Sequence, residues 1–118
     1  MRRDSRSFLM DVVEAADAIL DAVNSIDLGD YCNSRLIRSS VEREFILIGE
    51  ALTNLSRLNG ELFSKIENAP RIISFRNKLT NEYVKVDNTL VWGVITSYLK
   101  PLRAACIALA TDSGPGAL

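Results

Sequence analysis

The sequence predicts an all-α fold, an up-down bundle of four main helices with one short extra helix. Apolar residues recur with the 3.6-residue period of a helix over two long segments, and no segment of useful length alternates with the period of a strand. The breaks between periodic segments are short, which makes successive helices antiparallel neighbours. At 118 residues the chain has room for one domain, here placed at 1–112.

The first periodic segment runs from about Ser5 to Ile26, with Phe8, Leu9, Val12, Val13, Ala16, Ile19, Leu20, Val23 and Ile26 on one face and acids on the other. Leu28-Gly29-Asp30 breaks the pattern. A second helix is expected from about Asn33 to Leu58, its apolar set including Leu36, Ile37, Val41, Phe45, Ile48, Leu52, Leu55 and Leu58. Asn59-Gly60 ends it through the tolerance of both residues for the left-handed region. A short element covers Glu61 to Glu67, and Asn68-Ala69-Pro70 then signals a helix start with proline in the first turn. That helix runs to about Asn81 and turns Ile72, Ile73, Phe75 and Leu79 inward. The turn from Val84 leads to Asp87, the expected N-cap of a last helix from Asn88 to about Thr111, in which Pro101 removes one backbone hydrogen bond and is expected to cause a kink. Residues 113–118 are expected to form a flexible tail.

Composition narrows the function. With 47% apolar, 25% charged and 7% aromatic residues, the chain reads as a soluble globular protein rather than a disordered, collagen-like or disulfide-stapled one. No stretch suits a bilayer span or a leader peptide, so a cytoplasmic protein without a membrane partner is expected. Cys32 and Cys106 are far apart and histidine is absent, which leaves no material for a zinc site or thiol-histidine chemistry; no cofactor is expected.

Net charge is −1, so no global field attracts nucleic acid. The charge is segregated, however. Between Ser7 and Ser34 stand Asp11, Glu14, Asp17, Asp21, Asp27 and Asp30 with no base, whereas Arg71, Arg76, Lys78 and Lys85 face only Glu82 in the segment from 71 to 85. Solvated helix faces account for such runs unless a motif falls within them.

The segment from Arg71 to Tyr83 gathers the most functional groups. Arg76 can grip a phosphate through its planar fork, Asn77 and Asn81 are spaced i, i+4, and Tyr83 carries a phenol. Arg71, Lys78 and Lys85 add further positive charge in and beside the same segment. Phosphodiester chemistry needs charge stabilisation and a proton acceptor. The segment supplies the first and lacks the second, and a polar helix end of this kind also serves as a solvated or capping face.

The run Arg76-Asn77-Lys78-Leu79-Thr80-Asn81-Glu82-Tyr83, followed by Val86-Asp87 and Val91-Trp92, resembles the signature of the HepT-like toxins of the HEPN superfamily. Those proteins carry Arg, a polar residue, three variable positions, His, any residue and Tyr, followed by Val-Asp and Val-Trp. Gly49-Glu50-Ala51 with Leu55-Ser56 resembles a second signature of the same family. The resemblance implies a helical bundle that pairs as a homodimer, with two motifs lining a shared cleft. It implies metal-independent endoribonuclease activity, in which the RNA 2′-hydroxyl attacks the neighbouring phosphate. It also implies a minimal nucleotidyltransferase antitoxin that adenylylates the motif tyrosine. Carried over, Arg76 stabilises the phosphorane, Asn77 is the polar second position and Tyr83 is modified; with RNA as the implied substrate, Arg71, Lys78 and Lys85 are the bases expected to contact it.

Asn81 departs from the pattern, standing at the position of the family's catalytic histidine. A carboxamide exchanges no proton near neutral pH, and losing general acid–base catalysis costs roughly 10²–10⁴ in rate. Either the protein is a degenerate member retained for binding, or a toxin inactivated by one His-to-Asn change; the intact remainder of the motif favours the second. The alternative function is a non-catalytic helical protein-binding module.

Other residues carry paired readings. Arg43, Glu50 and Arg57 lie seven apart, as an intrahelical ion-pair ladder or with Glu50 orienting Arg76 across the bundle. Gly49 permits close helix approach, and Trp92 serves the core or a dimer contact in preference to a base-stacking platform. Val91, Val94 and Trp92 are expected to leave apolar surface for a second subunit to cover. Arg2, Arg3 and Arg6 mark a solvated helix start, or a contact to RNA or a partner.

Overall fold

Asp4 starts the first helix by accepting a hydrogen bond from the Ser7 N–H at 2.8 Å. The computed structural model of the chain describes residues 4–81, 83 and 85–112. Arg2, Arg3, Glu82, Val84 and the expected tail at 113–118 lie outside the described residues. Helix α1 is Ser5–Ala22, shorter than its apolar pattern, because the chain turns at Ser25 with a φ of 65°.

Helix α2, Leu28–Asn33, occupies the stretch expected to be a break. The cause is a reciprocal cap: the Asp27 carboxylate accepts from the Asp30 N–H at 2.8 Å and Asp30 from the Asp27 N–H at 3.2 Å. Burial of Tyr31 then anchors the turn, its ring 5.6 Å from that of Trp92.

Helix α3, Arg35–Leu58, is capped by Ser34, whose hydroxyl accepts from the Ile37 N–H at 3.2 Å. Its end corrects the expected left-handed stop: Asn59 has a φ of −150° and becomes the N-cap of α4, Gly60–Ser64, accepting from the Leu62 N–H. Leu36 and Leu58 fall at the helix ends and are exposed rather than inward. Helix α5 is Ala69–Thr80, with Pro70 in its first turn. Asp87 caps α6, Asn88–Val94, as expected, accepting from the Thr89 and Leu90 N–H groups.

Between α6 and α7, Lys100–Asp112, lies one π-helical turn, Ile95–Leu99. Pro101 has no N–H for the carbonyl four residues back, and a wider turn just before it absorbs that missing bond. The expected irregularity is this π turn.

Long α3 is central: it packs on α1 along one side and on α5 along the other, while α7 packs against α1. Leu9, Val12 and Ile19 of α1 meet Phe45, Ile48, Leu52 and Leu55 of α3 in a fully buried layer. Each such side chain contributes about 1.5–3 kcal/mol of transfer free energy. The fold is all-α, HEPN-like, and no strand occurs among the described residues. No described helix is long and apolar enough to cross a membrane.

Candidate functional site

Helix α5 is fixed to α3 at two places. Phe75 stands edge-on to Phe45 with ring centroids 5.1 Å apart. One residue on, the stem of Arg76 lies across Gly49: a Cβ added there would fall 2.4 Å from the Arg76 Cγ and 2.5 Å from its Cβ. The close approach expected of Gly49 is therefore to this arginine.

One helical turn past Gly49, Thr53 returns to the same face. Arg76 Nη2 donates to the Thr53 Oγ1 at 3.1 Å, and that hydroxyl donates to the Gly49 carbonyl at 2.8 Å. Arg76 Nε is buried with no hydrogen-bond partner. A donor left in that state costs about 1–3 kcal/mol, an expense tolerated chiefly where a side chain is held for a purpose.

The helix ends at Thr80, one residue short of the expected Asn81, whose φ of −84° and ψ of 106° put it in extended backbone. Asn81 thus leaves the helical register instead of stacking one turn above Asn77, which is exposed beside Arg76. Its Oδ1 accepts from the Tyr83 N–H at 3.0 Å, a turn closed by a side chain on the backbone two residues ahead. Tyr83 is 91% exposed. Its seven-residue spacing from Arg76 does not return it to the arginine's face, because the helix stops before reaching it.

Glu50 is exposed on the side of α3 that faces α1, where it lines a groove of about 680 Å³ with Asp11, Glu14 and Glu44. The group that holds Arg76 is instead Thr53, which reading the sequence missed; its signal was a hydroxyl four residues after a helical glycine. Arg43, Glu50 and Arg57 form no ion pair with one another. Seven residues of helix separate neighbours by about 10 Å along the axis.

Arg71 and Lys78 share the other face of α5, roughly 140° around the helix from Arg76. There Arg71 Nη1 donates to the Tyr98 hydroxyl at 3.0 Å. A groove of about 410 Å³ runs between α5 and the α6–π-turn segment, lined by Arg71, Phe75, Lys78, Leu90 and Tyr98. Lys85 joins Lys78 in an adjoining hollow of about 300 Å³. The basic segment is thus split between two faces.

Several of the acids between Ser7 and Ser34 have structural duties: Asp27 and Asp30 cap α2, and Asp17 pairs with Arg103. Val91 and Val94 are buried within the fold and Trp92 is half-buried against Tyr31, so these residues are not the uncovered apolar surface expected of them. The large exposed apolar side chains lie elsewhere, at Leu36, Leu58 and Leu90 among others. Burial pushes the Cys106 thiol up to about 12, which leaves it unreactive.

Residues 12–109 match the family described as Ribonuclease HepT-like. Relatives named as putative RNases accompany that match. One from Methanocaldococcus jannaschii is 32% identical over 97 residues, covering 80% of this chain and 85% of the relative. A second from the same organism is 28% identical, covering 77% of this chain and 74% of the relative. One from Caldanaerobacter subterraneus is 26% identical, covering 83% of this chain and 87% of the relative. No solved structure matches the chain. The chain belongs to the HepT-like ribonuclease family.

Proposed function

We propose that this HepT-like ribonuclease is a cytoplasmic endoribonuclease toxin subunit that grips an RNA phosphate with Arg76 and is disabled by Asn81. The carrying observation is the arginine's anchorage, its stem in the Gly49 notch and Nη2 on Thr53. A guanidinium fixed before the reaction stabilises developing charge without reorganising. In metal-independent cleavage the 2′-oxygen attacks phosphorus as its proton leaves, and the 5′-oxygen departs as it gains one. Arg76 would balance the charge on the non-bridging oxygens of the phosphorane, with Asn77 beside it.

Both proton transfers would belong to residue 81. The Asn81 carboxamide cannot perform them, and its oxygen is engaged by the Tyr83 N–H. Arg71, Lys78 and Lys85 would carry flanking phosphates on the opposite face of α5. A two-fold homodimer would set two motifs across one cleft. The exposed Tyr83 side chain suits it to accept an adenylate from a minimal nucleotidyltransferase antitoxin, which would add a phosphate just past the end of α5 that competes with RNA for the positive charge of the motif.

The test is RNA cleavage in chelator. Asn81→His is expected to restore it by roughly 10²–10⁴-fold over the Asn81 chain, and adding Arg76→Ala is expected to remove it. Asn81 itself favours the second reading, a non-catalytic binding module; an inert Asn81→His chain would decide for that reading. For control by the partner, nucleotidyltransferase and ATP should leave an adduct on Tyr83 by peptide mass spectrometry, whether residue 81 is Asn or His.

A further inference from the structure

We infer that Thr53 is the positioning residue of Arg76, fixing which edge of the guanidinium meets RNA; the inference rests on the reading of Arg76 as the phosphate-gripping group. A hydroxyl ordinarily both donates and accepts and can rotate between the two. Thr53 has its proton committed to the Gly49 carbonyl at 2.8 Å, so only its lone pairs remain for Arg76, whose Nη2 lies 3.1 Å away. The branched Cβ further restricts χ1 in a helix, where such a bond to the carbonyl four residues back selects the rotamer.

The arginine is thereby bound at one end and enclosed at its middle. Nη2 is held by Thr53, Nε is buried without a partner, and a side chain on Gly49 would collide with the stem. Among the described residues Nη1 has no protein partner and Nη2 gives only one of its two N–H groups to Thr53, so Nη1 with the remaining Nη2 N–H is the edge left for a ligand. Gly49 and Thr53 act as one device: the glycine admits the stem and supplies the carbonyl that orients the hydroxyl, and the hydroxyl orients the guanidinium. Valine keeps the shape of threonine and lacks the acceptor; serine keeps the acceptor.

The test joins a motion measurement on the Asn81 chain to kinetics in the Asn81→His chain. ¹⁵N relaxation of the Arg76 Nε–H should report a rigid group with an order parameter near 0.8 in the Asn81 chain and in Thr53→Ser, falling below about 0.6 in Thr53→Val. In the Asn81→His chain, Thr53→Val should lower kcat about 10- to 100-fold with KM within about 2-fold, because the loss is confined to the transition state, while Thr53→Ser stays within about 3-fold. An equally rigid Arg76 in Thr53→Val overturns the inference, as does an unchanged kcat where Arg76→Ala abolishes cleavage. If Arg76→Ala leaves cleavage intact, or the Asn81→His chain is inert, the ribonuclease reading fails instead, and the relaxation measurement still decides whether Thr53 holds the guanidinium.

Discussion

The two faces of α5 carry the same kind of charge in opposite circumstances. Toward α3, Arg76 is threaded over a glycine and tied to a buried-side hydroxyl, beside Phe75, which is nearly buried against Phe45. Toward α6, Arg71 and Lys78 stand exposed along an open groove. Charge fixed by packing can discriminate one atom position from another, whereas solvated charge supplies a field that any polyanion feels. One helix therefore separates a packed guanidinium from solvated charge, which in the proposed function serve as a chemical grip and a general attraction.

Breaking the packed face should have the largest effect. Phe75→Ala is expected to cost about 3–5 kcal/mol in denaturant unfolding, against about 0.5 kcal/mol or less for Lys78→Ala. Equal losses would show that the two faces are not different in kind. Next comes Gly49→Ala, where overpacking costs about 1–3 kcal/mol and the better helix propensity of alanine returns up to about 1. The clash should win, giving a lower Tm. Arg76→Ala should relieve it only in part, since the Arg76 Cβ is itself 2.5 Å from the added methyl.

The solvated face is sharpened by salt. Arg71→Ala, Lys78→Ala and Lys85→Ala should each weaken binding of single-stranded RNA regardless of its sequence and lower the slope of log K against log salt by about 0.7. An unchanged slope in all three would remove that face from RNA contact.

The smallest effect concerns pH and lies away from α5. Burial, then the nearby Glu42 carboxylate, push the Tyr31 phenol up to about 12. The unfolded chain releases this proton near pH 10, so stability present below that pH declines as pH climbs toward 12. The Tyr31 hydroxyl has no hydrogen-bond partner, so Tyr31→Phe should change neutral stability by about 1 kcal/mol or less and flatten the alkaline decline.

How much of this was legible in the sequence follows from the range of each interaction. Helices α1, α3 and α5 were visible because their apolar periodicity is local, and Asp87 because a cap acts within one turn. Helix α2 was hidden: Gly29 argues for a break, and only the Asp27–Asp30 box with a buried Tyr31 outweighs it. The π turn was signalled by Pro101, though not its form. At the site, the motif singled out Arg76, Asn81 and Tyr83 as candidates, with the helix expected to reach Asn81, whereas it ends at Thr80. Thr53 was missed because its meaning depends on a partner 23 residues away.

The most direct test of the central claim is the chemistry of the RNA ends made by the Asn81→His chain in chelator. Attack by the 2′-hydroxyl predicts 2′,3′-cyclic phosphate and 5′-hydroxyl ends, with no cut where the 2′-oxygen is methylated. Products with 5′-phosphate and 3′-hydroxyl ends, or cutting at methylated positions, would contradict it.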